Sequence, residues 1–329
     1  MKILVTGSAG HLGEAIVRTL KDANRAVAGV DIIASPYTDF VGSITQRAFV
    51  ENCLEEVDAV IHTATLHKPH VATHSKQDFI DTNISGTLNL LEESQKAGIR
   101  SFAYTSTTSV FGNALVPPPG EPAAWITEDT APQPKNIYGI TKLASEHLCE
   151  LFARKHALPV TVLRISRFFP EEDDSTAIRA GYADENAKAN EFLFRRVDIH
   201  DAVQAHLDAV ERPPKKGFAR YIISATTPFT RDDLAELRSD AASVLRRHMP
   251  AYEAEYARRG WKMFPLIDRV YVNEKARGEL GWKPLHDFSW VLESLKADKP
   301  VLSATAHSIG KKGYHSEVFE QGPYPVDDH

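Results

Sequence analysis

Short apolar runs alternate with longer segments of helical spacing through the first half of the chain, and this alternation restricts the possible folds more than any other feature. The runs predicted to be buried strands are Ile3–Thr6, Ala26–Val30, Val57–His62, Ser101–Thr105 and Val160–Ile165. Strands buried on both faces read as continuous apolar runs, and helices of this length connect parallel strands by right-handed crossovers. The sequence therefore predicts an α/β fold with a doubly wound parallel sheet, which binds ligands beyond the carboxyl ends of its strands.

The composition of the 329-residue chain is that of an ordinary globular protein, with 43% hydrophobic and 25% charged residues. Its formal net charge of -6 offers no basic surface to nucleic acid, and no apolar run approaches the length of a membrane span. We therefore expect no nucleic-acid partner and no membrane insertion. Because Met1 leads directly into the first predicted strand, without a charged leader or an apolar signal segment, the expected location is cytoplasmic.

A glycine-rich turn joins the first predicted strand to the first predicted helix. Gly7, Gly10 and Gly13 have the spacing in which one glycine permits a tight turn, one lets the backbone approach a pyrophosphate and one allows close helix packing. His11 and Leu12 lie within this turn, where the helix N-terminus offers unpaired N–H donors and a partial positive charge. The motif predicts a dinucleotide site and makes the expected sheet Rossmann-like.

Asp31 ends the second predicted strand, close to the position where a carboxylate binds the adenine-ribose hydroxyls of NAD. The residues that follow are Ile32 and Ile33, so no adjacent arginine can accept the 2′-phosphate of NADP. The predicted cofactor is therefore NAD.

Tyr138 and Lys142 stand at positions i and i+4 of a predicted helix and so lie on the same helical face. A nearby ammonium favours the phenolate, which shifts the pKa of a tyrosine from about 10 toward a value useful for acid-base chemistry at neutral pH. The hydroxyl cluster Ser106–Ser109 ends the fourth predicted strand, where a hydroxyl can polarise a substrate oxygen. Tyr138, Lys142 and a hydroxyl of this cluster are therefore the candidate catalytic groups.

The glycine turn, the hydroxyl cluster and the Tyr138–Lys142 pair occur in the order found in the extended short-chain dehydrogenase/reductase superfamily, which the chain resembles. The likeness is to its NAD-dependent epimerase/dehydratase family in particular. Further similar segments are Ile61–Ala64, Asn83–Leu91, Tyr104–Gly112, Val197–Asp201 and Lys275–Pro284. The resemblance implies an NAD-dependent enzyme whose catalytic residues are Thr107, Tyr138 and Lys142. Thr107 would orient the substrate, with Ser106 as the alternative, Tyr138 would be the acid-base group, and Lys142 would bind ribose and lower the pKa of the tyrosine.

The same resemblance implies further cofactor contacts and an assembly. In addition to the glycine turn, Asp31, Tyr138 and Lys142, the side chains expected to line NAD are Ser43, Ile44, Thr63, Ala64, Asn83, Ser106 and Phe168. The dimers of the family pair the helices that correspond to Thr82–Ala97 and Tyr138–His156. A homodimer is therefore implied.

Two departures from the family pattern concern the reaction and the substrate. Thr108 and Ser109 follow Thr107 where sugar-nucleotide 4,6-dehydratases have an Asp-Glu pair, so dehydration is disfavoured. The segment from Phe169 to Arg196 lacks the usual loop for a nucleotide diphosphate, whereas Leu163–Glu171 resembles the corresponding stretch of uronate dehydrogenases.

The candidate substrate contacts are Thr108, His67, Arg167 and Arg179. Two interpretations of the arginines are open: one of them clamps a substrate carboxylate, or they pair with the acidic run Glu171–Asp174. The histidines His67, His70 and His74 also suggest a metal site. No carboxylate or cysteine completes a ligand set there, so no metal is predicted.

The regular alternation weakens from about Phe168, and three parts are predicted. They are an NAD-binding domain over residues 1–167, a smaller C-terminal substrate lobe over 168–299 that can include returning segments of the first domain, and a tail over 300–329 docked on the body or on a neighbouring subunit. Within the lobe we expect a strand at Arg220–Ser224 and helices at Thr230–Arg247 and Phe288–Lys296. The loop between Phe111 and Lys135 is expected to border the site.

The predicted function is oxidation of a secondary alcohol of a sugar or sugar derivative by hydride transfer to NAD. If the ketone is retained and reduced on its other face, the enzyme is an epimerase; if it leaves, the enzyme is a sugar or uronate dehydrogenase. Two alternatives remain open, namely a ketone reductase or alcohol dehydrogenase acting on a non-sugar substrate and an NAD-binding regulator that performs no chemistry.

Overall fold

The main sheet consists of seven parallel strands, and a second, two-stranded parallel sheet lies apart from it. The computed structural model of the protein describes residues 1–313 and Phe319. In chain order the strands are β1 (Ile3–Thr6), β2 (Val27–Asp31), β3 (Phe40–Val41), β4 (Ala59–His62), β5 (Ser101–Thr107), β6 (Ala124–Ile126), β7 (Val160–Ile165), β8 (Phe218–Ile223) and β9 (Arg269–Tyr271). The main sheet has the order β3-β2-β1-β4-β5-β7-β8, which confirms the predicted doubly wound α/β class.

Helices connect the strands and cover both faces of the main sheet. They are α1 (His11–Asp22), α2 (Arg47–Cys53), α3 (Lys76–Phe79), α4 (Gly86–Lys96), α5 (Ile137–His156), α6 (Thr176–Gly181), α7 (Asp184–Glu191), α8 (Ile199–Glu211), α9 (Leu234–Leu237), α10 (Ala241–His248), α11 (Tyr252–Arg259), α12 (Phe288–Lys296) and α13 (Ala304–Ile309). A π-helical turn at Ile80–Ser85 joins α3 to α4, and a 3-10 segment at Thr108–Leu115 follows β5. Another π-helical turn spans Ala276–Leu280, and 3-10 turns lie at Lys68–Ala72 and Arg231–Asp233.

The strands alternate their side chains between two apolar cores, one on each face of the main sheet. Ile3 and Val5 of β1 join the core that contains residues of α1 and α8, whereas Leu4 joins the core that contains residues of α4 and α5. Because both faces are covered, nearly every strand position is apolar, which explains why the strands are visible in the sequence as continuous runs.

A third core builds the C-terminal lobe. Phe192, Leu237, Tyr256 and Phe288 pack together there, next to the pair of strands β6 and β9. Three segments from the 168–299 part of the chain do not belong to this lobe. Strand β8 pairs with β7 in the main sheet, and α8 and the segment 276–282 contribute Ala276, Leu280 and Trp282 among others to the core beneath that sheet. The division of the chain at residue 167 remains a prediction about independent folding units.

Two local predictions were wrong. The segment expected to be one helix at Thr230–Arg247 forms a 3-10 turn followed by α9 and α10. The break occurs before Asp240, whose side chain accepts a hydrogen bond from Ser243 N and so starts a new helix. The segment expected to be a loop between Phe111 and Lys135 contains strand β6, which is too short to show a pattern in the sequence.

The described part of the C-terminal segment is fixed to the body of the protein. Ala306 and Ile309 of α13 belong to the core beneath the main sheet, and Val301 belongs to the core of the lobe. Ser303 donates from its backbone N and its Oγ to Asp198, which caps α8. The predicted docking of residues 314–318 and 320–329 lies outside the described residues.

Within the described residues, no helix has the length and apolarity that crossing a membrane requires.

Candidate active site

A cavity of about 880 Å³ opens at the carboxyl ends of the main-sheet strands. Most of the residues predicted to contact cofactor or substrate line it: Gly7, Gly10, His11, Leu12, Gly13, Asp31, Ser43, Ile44, Thr63, Ala64, His67, Ser106, Thr107, Thr108, Tyr138, Arg167 and Phe168. Three predicted residues, Asn83, Lys142 and Arg179, are not part of the lining. The cavity therefore brings together the residues predicted to bind the cofactor and those predicted to act on the substrate.

The glycine turn has the shape that a dinucleotide pyrophosphate requires. Gly7 adopts a φ of +73°, and a Cβ on Gly13 would stand 2.0 Å from the carbonyl oxygen of Gly7, so neither position accepts a side chain. A Cβ on Gly10 would meet only Gly7 O at 3.2 Å and would occupy the cavity. Helix α1 begins directly afterwards at His11, and its N-terminal N–H groups face the site. The turn therefore fits the phosphates of NAD.

Asp31 ends β2 and holds this turn in place. Its carboxylate accepts hydrogen bonds from Ala9 N at 2.9 Å and from Ile33 N at 3.0 Å, while it also lines the cavity. The neighbours Ile32 and Ile33 are exposed and uncharged, so this edge of the cavity offers nothing to a 2′-phosphate. The arrangement fits the ribose of NAD.

Asn83 lies in the π-helical turn between α3 and α4 and is buried behind the cavity wall. Its amide oxygen accepts from Leu66 N at 2.8 Å, and its Nδ2 donates to Leu66 O at 2.9 Å and to the hydroxyl of Thr141 at 3.0 Å. The side chain thus fixes a loop that does line the cavity. Its predicted contact with the cofactor is not visible in this geometry.

Thr107 and Tyr138 face the cavity from two elements. Thr107 is the last residue of β5, and Tyr138 lies in the first turn of α5, which is capped by Asn136. Burial raises the pKa of Tyr138 to about 12, and a hydrogen bond with the Thr107 side chain opposes this rise. The prediction that the pKa of this tyrosine is lowered was wrong for the protein as described, because removal from water disfavours the phenolate more than the neighbouring groups favour it.

Lys142 lies one turn further along α5 and is also buried. Burial lowers its pKa to about 7, against the opposing influence of Cys149 and Glu146. Its ammonium stands 4.2 Å from the ring centroid of Tyr104 on β5, so the lysine packs beneath the cavity wall.

Ser106 and Thr107 are adjacent in sequence but have different partners. The hydroxyl of Ser106 donates to Glu146 at 2.5 Å, and Glu146 also receives Arg164 at 2.8 Å and Arg220 at 2.9 Å. Among the described residues, the side chain of Thr107 forms hydrogen bonds with Ser109 and Tyr138 and with no carboxylate. The structure therefore favours Thr107 over the alternative Ser106 as the hydroxyl that meets a substrate.

The two predicted carboxylate clamps are occupied by other groups. Arg167 donates to Glu172 O at 2.8 Å and lies 3.7 Å from Asp174, so it pairs with the acidic run although it lines the cavity. Arg179 donates to Asp173 O at 2.6 Å from helix α6, outside the lining. Of the two open interpretations, pairing with the acidic run is the one that the geometry supports.

Near these arginines, the imidazole of His67 stacks on Phe169 with 5.6 Å between ring centroids. Across residues 1–313 and Phe319, no group of three or more His, Cys, Asp or Glu side chains is arranged to hold a metal ion.

Several cavity residues were missed by sequence reasoning, among them Lys68, Lys135, Phe169, Arg269 and Tyr271. Lys135 stands close before Tyr138 in the chain, and that proximity was a usable signal. Arg269 and Tyr271 had no signal, because they reach the cavity only through the pairing of β9 with β6.

Comparison with known proteins places this geometry in a family. Residues 3–217 match the NAD dependent epimerase/dehydratase family. A dTDP-glucose 4,6-dehydratase of Streptomyces antibioticus is 28% identical over 327 residues, which cover 88% of this chain and 89% of that relative.

Solved structures share the fold. A short-chain dehydrogenase/reductase superfamily protein from Agrobacterium tumefaciens with bound NAD has a TM-score of 0.65 at 22% identity, over 90% of this chain and 96% of that one. A mutated uronate dehydrogenase has a TM-score of 0.58 at 20% identity, over 91% of this chain and 86% of that one. The predicted resemblance is confirmed, and so are its enzyme class and its cofactor at the level of the family: the chain belongs to the NAD-dependent epimerase/dehydratase family.

Proposed function

We propose that the protein oxidises a secondary alcohol of a sugar or sugar derivative, with Tyr138 as the acid-base group and Thr107 as the group that orients the alcohol. The observation that carries this proposal is that both side chains line the same cavity as the glycine turn and Asp31. Cofactor site and acid-base site are thus one continuous space, as hydride transfer requires. A dinucleotide-binding regulator needs the glycine turn but not the acid-base pair.

Bound NAD would supply the hydride acceptor and, in its oxidised form, a positive charge. As the phenolate, Tyr138 takes the proton of the substrate hydroxyl, and the hydride on the carbon that bears this hydroxyl would pass to the bound cofactor, so that a ketone forms. Because burial raises the pKa of Tyr138 to about 12, the phenol needs a nearby positive charge before it can act as a base at neutral pH. Protonated Lys142 is the candidate source within this chain.

The chain supports an epimerase or a dehydrogenase more than a dehydratase. Elimination of water from a sugar needs a further acid and base beside the threonine, whereas Thr108 and Ser109 supply only hydroxyls in the cavity. The dehydratase of Streptomyces antibioticus is a relative of the chain, and its reaction is not the one we propose here.

The test is Tyr138→Phe in the full chain, with NAD and a panel of sugar acids, free sugars and sugar nucleotides. The expected loss of turnover is about 10²- to 10⁴-fold, because the acid-base group is removed while the cavity is kept. NADH absorbance identifies a dehydrogenase, and isomerised sugar without NADH identifies an epimerase. Calorimetric titration with NAD serves as the control and should show retained binding.

Undiminished turnover in this variant would remove Tyr138 from the mechanism. If the unaltered protein binds NAD but leaves every compound of the panel unchanged, a non-sugar ketone or a regulatory role replaces the proposal.

We also propose a homodimer formed through α4 and α5. Ile140 and Leu151 of α5 are large apolar side chains that stay exposed in the single chain, at 50% and 40% of their surface. Light scattering during size exclusion should give twice the chain mass, and a monomer would refute the assembly. The cytoplasmic location stays a prediction.

A further inference from the structure

Most cations in the cavity wall are neutralised by neighbouring carboxylates. The pairs are Lys68 with Asp174, Arg167 with Asp174, Arg195 with Asp173 and Glu191, and Lys312 with Glu14. Lys135 and Arg269 also line the cavity, and neither forms an ion pair with any residue that the structure describes. Arg269 is only partly exposed, and a cation that is partly removed from water without a counter-ion is costly unless a ligand supplies the missing charge.

The conformation of Arg269 follows from strand β9. Arg269 and Tyr271 are two positions apart and both face the cavity, whereas Val270 between them is fully buried in the core of the lobe. The guanidinium of Arg269 lies 5.9 Å from the ring centroid of Tyr271, and its Nε is buried without a hydrogen-bond partner in the described structure. The guanidinium is therefore held over the ring of Tyr271, and it has N–H donors that a ligand could use.

Both cations belong to the catalytic part of the wall. Tyr271 packs in one cluster with Val110 and Phe111, which follow Thr107 in the chain. The backbone hydrogen bonds from Gln133 N to Val110 O and from Asn113 N to Gln133 O bring the segment that contains Lys135 to the same place. Lys135 itself is exposed at the rim, shortly before Tyr138.

The cofactor end of the cavity is elsewhere on the sheet. Asp31 ends β2 and Thr107 ends β5, which lies three strand positions away from β2 in the sheet. At the usual spacing of about 4.8 Å between strands, this separates the two ends by roughly 14 Å. The phosphates of a dinucleotide are served by the glycine turn after β1, so the two cations are left for another anion.

We propose that Arg269, assisted by Lys135, binds an anionic group of the substrate and selects acidic sugar derivatives over neutral sugars. The group is a carboxylate or a phosphate, since the planar guanidinium donates two parallel hydrogen bonds to either. The inference rests on the proposed function for the reaction itself, and it replaces Arg167 and Arg179 as the predicted carboxylate clamp.

The test measures binding rather than turnover, by calorimetric titration of the NADH-loaded full chain with glucuronate, UDP-glucose and glucose. We expect glucuronate or UDP-glucose to bind more tightly than glucose. The Arg269→Gln variant should bind that anionic probe with an affinity about 10- to 100-fold lower. Arg269→Lys should lose less, because it keeps the charge but not the planar fork. Affinity for NADH and for glucose should stay the same in both variants.

Arg231→Gln is the matched control. Arg231 lies over the ring of Trp125 on β6 at 5.5 Å, outside the cavity lining, so its replacement removes the same charge and the same kind of ring contact. Binding of all three probes should be unchanged in this variant.

The outcomes separate the possible anions and the two proposals. Loss confined to glucuronate indicates a carboxylate, and loss confined to UDP-glucose indicates a diphosphate. Three outcomes would overturn the anion site. The Arg269→Gln variant could bind the anionic probes as tightly as the unaltered protein does, the unaltered protein could bind all three probes with the same affinity, or it could bind none of them. Arg269-dependent binding together with unaltered turnover in the Tyr138→Phe variant would instead keep the anion site and reject the proposed mechanism.

Discussion

At the scale of single residues, two glycines of the same turn have different consequences when replaced by alanine. A Cβ on Gly13 would stand 2.0 Å from Gly7 O, whereas a Cβ on Gly10 would meet that atom at 3.2 Å and otherwise enter the cavity. Gly13→Ala should therefore lower the free energy of unfolding by about 1–3 kcal/mol. Gly10→Ala should change it by less than about 1 kcal/mol but weaken NAD binding by about tenfold or more.

Urea unfolding and calorimetric titration with NAD check the two effects separately. Stable folding of the Gly13→Ala variant with full NAD affinity would show that α1 does not need its close contact with the turn. Unchanged NAD affinity in the Gly10→Ala variant would mean that the cofactor does not approach the turn at this glycine.

At the scale of secondary-structure elements, α5 joins the proposed acid-base residue Tyr138 to a buried ionic network. Glu146 is fully buried. Its carboxylate accepts a hydrogen bond from Ser106 of β5 and forms ion pairs with Arg164 of β7 and Arg220 of β8. Glu146→Ala should lower the free energy of unfolding by about 3–5 kcal/mol, because it leaves the charge of Arg164 buried without a partner. Denaturant unfolding measures this loss.

Glu150→Ala is the matched change one turn along the same helix. Glu150 is more exposed and lies 3.6 Å from Arg220, so its loss should cost less than about 1 kcal/mol. Equal costs for the two variants would contradict the assignment of Glu146 as the centre of the network.

Elements also explain which side chains the sequence could place. Tyr138 and Lys142 were recognisable because helical spacing relates them within α5. The pKa values of these two side chains could not be predicted from the sequence, because they depend on burial. The same helix face places Tyr138 in the cavity wall and Lys142 beneath it. The family resemblance ranked Thr107 above Ser106, but the physical difference between them could not be read from the sequence, because the partner of Ser106 is Glu146 on another element.

At the scale of the whole molecule, Asp198 ties the C-terminal segment to the helix under the main sheet. Its buried carboxylate accepts from His200 N at 2.8 Å, from Ser303 N at 2.9 Å and from Ser303 Oγ at 2.5 Å. Asp198→Ala should lower the free energy of unfolding by about 2–3 kcal/mol and make the segment after residue 299 easier to cleave by protease. Chemical unfolding and limited proteolysis measure the two effects.

Asp287→Ala is the control, because Asp287 also caps a helix, but among the described residues its side chain accepts a hydrogen bond only from Trp290 N, at 3.0 Å. Its loss should cost about 1 kcal/mol and leave the C-terminal segment protected. If both aspartates cost the same and cleavage is unchanged, Asp198 acts only as a cap and does not fasten the segment.

The main sheet, the glycine turn and the order of the proposed catalytic motifs were determined by the sequence alone, because strand burial, tight turns and helical spacing are local properties that leave local patterns. The positions of Arg269 and of the Ser106 hydroxyl were decided only by the tertiary structure. Arg269 reaches the cavity because β9 pairs with β6 across more than a hundred residues, as the register of Arg269 with Ala124 shows. Such pairings carry no local pattern, and so the place of the Arg269 charge in the cavity wall is decided only when the chain has folded.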